Sequence, residues 1–225
     1  MNDKQTVWAD NLYLLLSALF VTSLIACNLI ANKFIEIDLG FKIFVISAGV
    51  LPYPITFLIT DILSEIYGRK KTNKVVLVGF ASSIFVLGII WLGGQFPAIT
   101  DSPVNNEEYK IVFQNVWRVI GASMIAYLTA QLVDVRLFHF WKKLTKGKHL
   151  WFRNNASTIS SQLADTSLVV CVLFVGIKPS NEILNLIIDG WLFKTLCAFI
   201  DTPILYLIIY AIRKKLGLKV GEEIK

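Results

Sequence analysis

Six apolar runs occupy most of the 225-residue chain, at 11–32, 43–66, 75–95, 114–134, 158–177 and 184–212. Each is long enough for a helix to cross the roughly 30 Å hydrocarbon layer of a bilayer, which takes about 20 residues. No water inside that layer can satisfy backbone N–H and C=O groups, so runs of this kind must be helical. The overall balance agrees, because 55% hydrophobic residues, 17% charged residues and a mean hydropathy of +0.62 are too apolar for a water-soluble domain. The expected architecture is one all-α integral membrane domain, residues 1–225, with six transmembrane helices. Gly49, Pro52 and Pro54 interrupt the second run, so that helix is expected to break near the prolines. The opening MNDKQTVWAD lacks a basic n-region and a small-residue cleavage site, so the first run reads as a retained span.

Basic residues set the expected orientation, because short loops rich in Lys and Arg stay in the cytoplasm. RKKTNK at 69–74, the stretch from Arg136 to Arg153 and RKKLGLK at 213–219 fall on one side of six alternating helices, whereas NKFIEIDLGFK and FPAITDSPVNNEEYK are acidic or balanced. Both termini are therefore expected in the cytoplasm. The net charge of +6 follows from this asymmetry and implies contact with a lipid surface, not nucleic acid. Trp8, Tyr13, Trp117, Tyr127, Trp141, Trp151 and Tyr210 fall near helix ends, as interfacial belts require, while Tyr53, Trp91 and Trp191 are candidates to face a cavity. Cys27, Cys171 and Cys197 lie inside apolar runs and read as small hydrophobes. Gly79, Ala81, Ser82, Ser83, Gly88, Gly93 and Gly94 permit close helix contact along the third run, within one chain or in a homodimer.

Against this background the intramembrane polar residues stand out, since a central Asp, Lys or Arg costs an inserted helix about 2.5–3.5 kcal/mol. Asp61 and Glu65 sit at i,i+4 spacing in the second run, where like charges repel. Asp165 and Asp201 lie within the fifth and sixth runs, Asn28 and Gln162 add neutral hydrogen-bonding groups, and Arg118 and Lys194 either compensate buried carboxylates or snorkel to the outer surface. Gln131-Leu-Val-Asp134 and Gln162-Leu-Ala-Asp165 repeat an amide and a carboxylate three residues apart, and Asp165-Thr166 is echoed by Asp201-Thr202-Pro203. Such groups serve either to knit helices together or to build a site. His139 and His149 read as solvated loop residues, and no nucleophile set, metal-ligand spacing or cofactor fingerprint accompanies the carboxylates. A buried polar cluster of this composition points to binding or proton relay, hence to transport and not to an enzyme.

PITFLITDILSEIYGRK at 54–70, QLVDVRLFHFWKKLT at 131–145 and RNNASTISSQLADT at 153–166 resemble the signature blocks of the queuosine precursor transporter family, also called the vitamin uptake transporter family. The resemblance implies a multi-pass carrier of the inner (plasma) membrane, with no cofactor, that imports 7-cyano-7-deazaguanine and 7-aminomethyl-7-deazaguanine for the tRNA nucleoside queuosine. A deazaguanine presents a ring N–H beside an exocyclic amino group, which one carboxylate accepts as a pair. Asp61, Glu65, Asp165 and Asp201 are the candidates for that role, with Asn28, Gln131, Gln162, Asn154 and Asn155 as donors to the ring carbonyl. Tyr53, Phe57, Trp91 and Trp191 are candidates to stack on the flat base. A second carboxylate has two tasks open to it: meeting the cationic aminomethyl arm, or carrying a proton that couples uptake to the membrane gradient. Glu65, Asp134 and Asp201 are the proton-coupling candidates. The rival expectation is a substrate-binding membrane subunit of an ATP-driven vitamin importer.

Overall fold

The computed structural model describes residues 2–31, 33–40, 42–114, 117–176 and 178–224, with side chains for all of these except 114, 117–123 and 173. Helix α1, Asp3–Leu29, opens on a capping box in which Asn2 Oδ1 accepts from the Gln5 amide and Gln5 Oε1 accepts from the Asn2 amide. Strands β1, Phe34–Asp38, and β2, Ile43–Ser47, pair antiparallel from Phe34↔Ser47 to Asp38↔Ile43. A 3-10 turn, Ala48–Val50, leads into α2, Tyr53–Ile66, and α3, Gly68–Gly93, follows almost at once. The single turn α4, Asn106–Tyr109, runs into a π-helical segment, Lys110–Gln114. Three long helices complete the order: α5, Trp117–Leu144, α6, Leu150–Phe174, and α7, Ser180–Leu216.

The first part of the second apolar run is therefore not helix, contrary to the expected helix over 43–66. IFVIS alternates, with Phe44 and Ile46 buried against Phe193 of α7 while Ile43 and Val45 are exposed, and β-branched residues at that period favour a pleated surface. Helix α2 begins where the prolines stand, so Pro52 and Pro54 sit at its first turn, where a missing N–H costs nothing. Among the described residues the fold is a helical assembly bearing one hairpin. His139 likewise lies within α5, which extends past the expected boundary to Leu144.

Among the described residues four segments are long and apolar enough to cross a membrane: Asp3–Leu29, Ala48–Ile66, Gly68–Gly93 and Ser180–Leu216. Helices α5 and α6 carry more polar side chains, and many of them, including Ser157, Ser161 and Asp165, are turned inward. Arg153 is the largest fully buried side chain among the described residues, and Gln131, Asp134 and Glu65 are as buried. Leu14, Phe85, Phe199 and Leu207 face outward. Polar inside and apolar outside is the arrangement a lipid solvent selects.

Helix α2 occupies the centre, packed against α1, α3, α5 and α7, and ten of its fourteen residues are buried. Tyr67 at its end donates to the Ala9 carbonyl at 2.7 Å, tying it to α1. Gly79 lets α3 approach α1, since a Cβ there would stand 2.7 Å from Phe20. One member of the small-residue stripe is thus used for packing within the chain.

Candidate functional site

Tyr53, Phe57, Asp61 and Glu65 recur every four residues along α2 and so form one row on its surface. The row passes from two aromatics to two carboxylates, whose surroundings differ. Glu65 accepts from Arg153 through two bonds of 2.7 and 3.2 Å, is held by Arg213, and lies 3.3 Å from the Lys142 ammonium. Lys142 also donates to the Glu65 backbone carbonyl and to Glu223, while the Ile224 N–H donates to the Ile66 carbonyl. Glu65 thereby joins α2, α5, α6, α7 and the C-terminal segment. Three cations around it also relieve the repulsion expected from Asp61 one turn away.

Asp61 has no such escort. It lines a narrow cleft of about 20 Å³ with Tyr53, Phe57, Thr158, Gln162, Lys194 and Asp201, and Asn154 closes another side. Asp61 and Gln162 are 2% and 1% exposed, yet Asp61 Oδ1 and both polar atoms of the Gln162 amide lack a hydrogen-bond partner in the protein. Buried polar groups in folded proteins are overwhelmingly paired, and leaving one unpaired costs about 1–3 kcal/mol. Together with Thr158 Oγ1, which is also unpartnered, the Asp61 and Gln162 atoms place free hydrogen-bonding groups along one cleft.

A second cavity, of about 560 Å³, opens toward the hairpin and is lined by Cys27 and Asn28 of α1, Phe34 and Val45, Tyr127 of α5, Asp165 and Thr166 of α6, and Gly190 of α7. Tyr53 and Lys194 line both spaces and form the partition between them. Lys194 donates to Asp165 at 2.8 Å and to Thr166 at 3.1 Å, and its ammonium stands 4.3 Å from the centre of the Tyr53 ring. Tyr53 is itself held between Phe57 and Tyr127, each 5.4 Å away.

Asp61, Gln162, Asp201, Tyr53 and Phe57 are brought together, then, with Asp165 and Asn28 on the larger cavity. Asn154 also lines the cleft, and the remaining described sequence candidates have other surroundings. Glu65 is in the cation cluster; Gln131 donates to the Tyr127 hydroxyl at 2.9 Å; Asp134 accepts from Ser161 at 3.0 Å. Trp191 donates to the Ile159 carbonyl at 3.0 Å, and Trp91 is exposed on α3. Asn155 donates to Thr202 at 2.8 Å, and the Arg118 side chain is outside the described residues. Sequence reasoning overlooked Thr158 and the Arg153 partner of Glu65. Arg153 stood in a stretch whose basic residues were already explained by topology.

Residues 47–208 match the family described as "Putative vitamin uptake transporter". The chain belongs to this family. It is accordingly a transporter and not an enzyme. It is 30% identical over 159 residues to a Bacillus subtilis protein named "Probable queuosine precursor transporter", covering 70% of this chain and 69% of that one. It is 26% identical over 153 residues to the Escherichia coli "Queuosine precursor transporter", covering 64% and 62%, and 26% identical over 129 residues to a Haemophilus influenzae relative, covering 56% and 51%. No solved structure matches the chain.

Proposed function

We propose that this transporter imports the queuosine precursors 7-cyano-7-deazaguanine and 7-aminomethyl-7-deazaguanine across the inner membrane, with Asp61 and Gln162 reading the base. The observation that carries this is the pair of buried, unpartnered groups in the cleft beside Phe57 and Tyr53. Asp61 accepts the ring N–H and the exocyclic amine; the Gln162 amide donates to the ring carbonyl; Phe57 offers its face to the flat ring. At about 20 Å³ the cleft has room for little more than one water, so the base first occupies the larger cavity and the cleft opens to take it. Asp201 at the cleft and Asp134 beside it are the carboxyls assigned to proton coupling.

The topology that goes with this reading has α1, α2, α3, α5, α6 and α7 crossing the membrane and both termini in the cytoplasm. Helix α2 has 14 residues and so is only about 21 Å long, short of the roughly 30 Å layer. The 3-10 turn and hairpin complete its crossing, which is tolerable because that backbone lies against protein and a cavity. The larger cavity then faces outward and the Glu65 cluster inward.

Two measurements test the function. A queuosine-synthesis mutant expressing this chain should regain the tRNA modification when given either base. Purified chain in liposomes should take up the base unaided; binding without uptake would instead identify the membrane subunit of an ATP-driven importer.

A further inference from the structure

The partition between the two cavities is a charge contact. The Lys194 ammonium donates to Asp165 and Thr166 and stands 4.3 Å from the centre of the Tyr53 ring, so most of its interactions are already made within the chain. Asp165 is almost wholly buried; Lys194 takes its Oδ2, and its Oδ1 has no hydrogen-bond partner in the protein. A carboxylate in such a place strongly favours a cation, and here the chain supplies one from its own α7.

We propose that Lys194 is a tethered competitor for Asp165, which a substrate bearing a primary ammonium arm displaces and a neutral-armed substrate does not. The inference rests on the deazaguanine reading above and makes Lys194 a specificity-determining residue of that site. An alkylammonium arriving through the larger cavity reproduces the lysine's charge and its three donors, so it satisfies Asp165 and Thr166 equally well. The exchange also lifts the Lys194 ammonium off Tyr53. Because these two side chains line both spaces, the arm that takes Asp165 loosens the wall in front of the cleft where Asp61 waits for the base. A nitrile arm carries no charge and leaves Lys194 in place, so for such a ligand the lysine is neutral in effect.

The test is equilibrium binding of the aminomethyl and cyano bases to purified protein, reported as the ratio of their affinities. Lys194→Met should raise that ratio in favour of the aminomethyl base by about tenfold or more, the size of one charge-assisted contact no longer contested, with the cyano base changed less than about threefold. Lys194→Gln, which removes the charge but keeps a polar chain end, should move the ratio the same way, and it carries the test if Lys194→Met fails to insert. Asp165→Asn should remove the aminomethyl advantage. An unchanged ratio in the folded lysine variants, or loss of both ligands in folded Lys194→Met, would overturn the proposal. Failure of the wild-type chain to bind either base would instead overturn the deazaguanine reading.

Discussion

Glu65→Gln separates the two carboxylates of α2 by what each does for the fold. Glu65 is fully buried and accepts both terminal nitrogens of Arg153, itself fully buried, along with Arg213 and Lys142. The amide keeps the shape and removes the counter-charge, leaving the Arg153 and Arg213 guanidiniums without their anion and Lys142 with Glu223 alone. Breaking a buried ion pair from one side costs about 3–5 kcal/mol. For a chain of this size each kcal/mol moves the melting midpoint by roughly 2–4 °C, so the variant should melt about 6–20 °C lower than wild type. Asp61→Asn, one turn away, breaks no ion pair, and its midpoint should stay level or rise. The same variant should bind either deazaguanine more weakly by about 10–150-fold, the worth of a hydrogen-bonded charge at roughly 1.5–3 kcal/mol. Both numbers come from detergent-solubilised protein, by thermal scanning and by ligand titration. A Glu65→Gln midpoint within about 2 °C of wild type, or a loss on Asp61→Asn as large as that on Glu65→Gln, would refute the division of roles.

Phe57→Ala should weaken binding of both bases by roughly 5–150-fold, the range of about 1–3 kcal/mol for stacking on an aromatic face, with little change in their ratio in the same titration. Asp134→Asn should still exchange labelled base for unlabelled across a liposome wall yet fail to concentrate it against a gradient; equal loss of both activities would reassign Asp134 to binding. Gly79→Leu drives a side chain into Phe20 and Leu24 and should cost about 1–3 kcal/mol, read as a lower melting midpoint with the affinity for the bases kept.

Hydropathy alone made the helical class and the inward-facing carboxylates readable, because lipid punishes any other placement of charge. The i,i+4 pair on α2 was visible too, but its meaning was not: Arg153 and Arg213 lie 88 and 148 residues from Glu65 along the chain, and only packing of α6 and α7 on α2 makes it the neutralised member. Residues 43–47 misled because a short apolar run reads equally well as helix or strand, and the buried alternation shows only once Phe193 covers Phe44. Trp191 looked like a stacking surface for the same kind of reason; its indole N–H is taken up by the Ile159 carbonyl. For Lys194 the sequence left carboxylate pairing and snorkelling equally open; Asp165 takes it, and its position between two cavities depends on Tyr53 lying across from it.

Helix α7 carries both ends of this machinery. Its 37 residues make a rod of about 55 Å, and Lys194 and Arg213 are fixed to it roughly 28 Å apart. Arg213 is moored to Glu65 and Lys194 to Asp165, with Pro203 set between them inside the helix, where it removes a backbone hydrogen bond. A rod with two moorings and a soft joint does not have to move as one piece. Bending at Pro203 would let the stretch bearing Lys194 move while the stretch bearing Arg213 stays moored, so the two ends of a single element need not shift together.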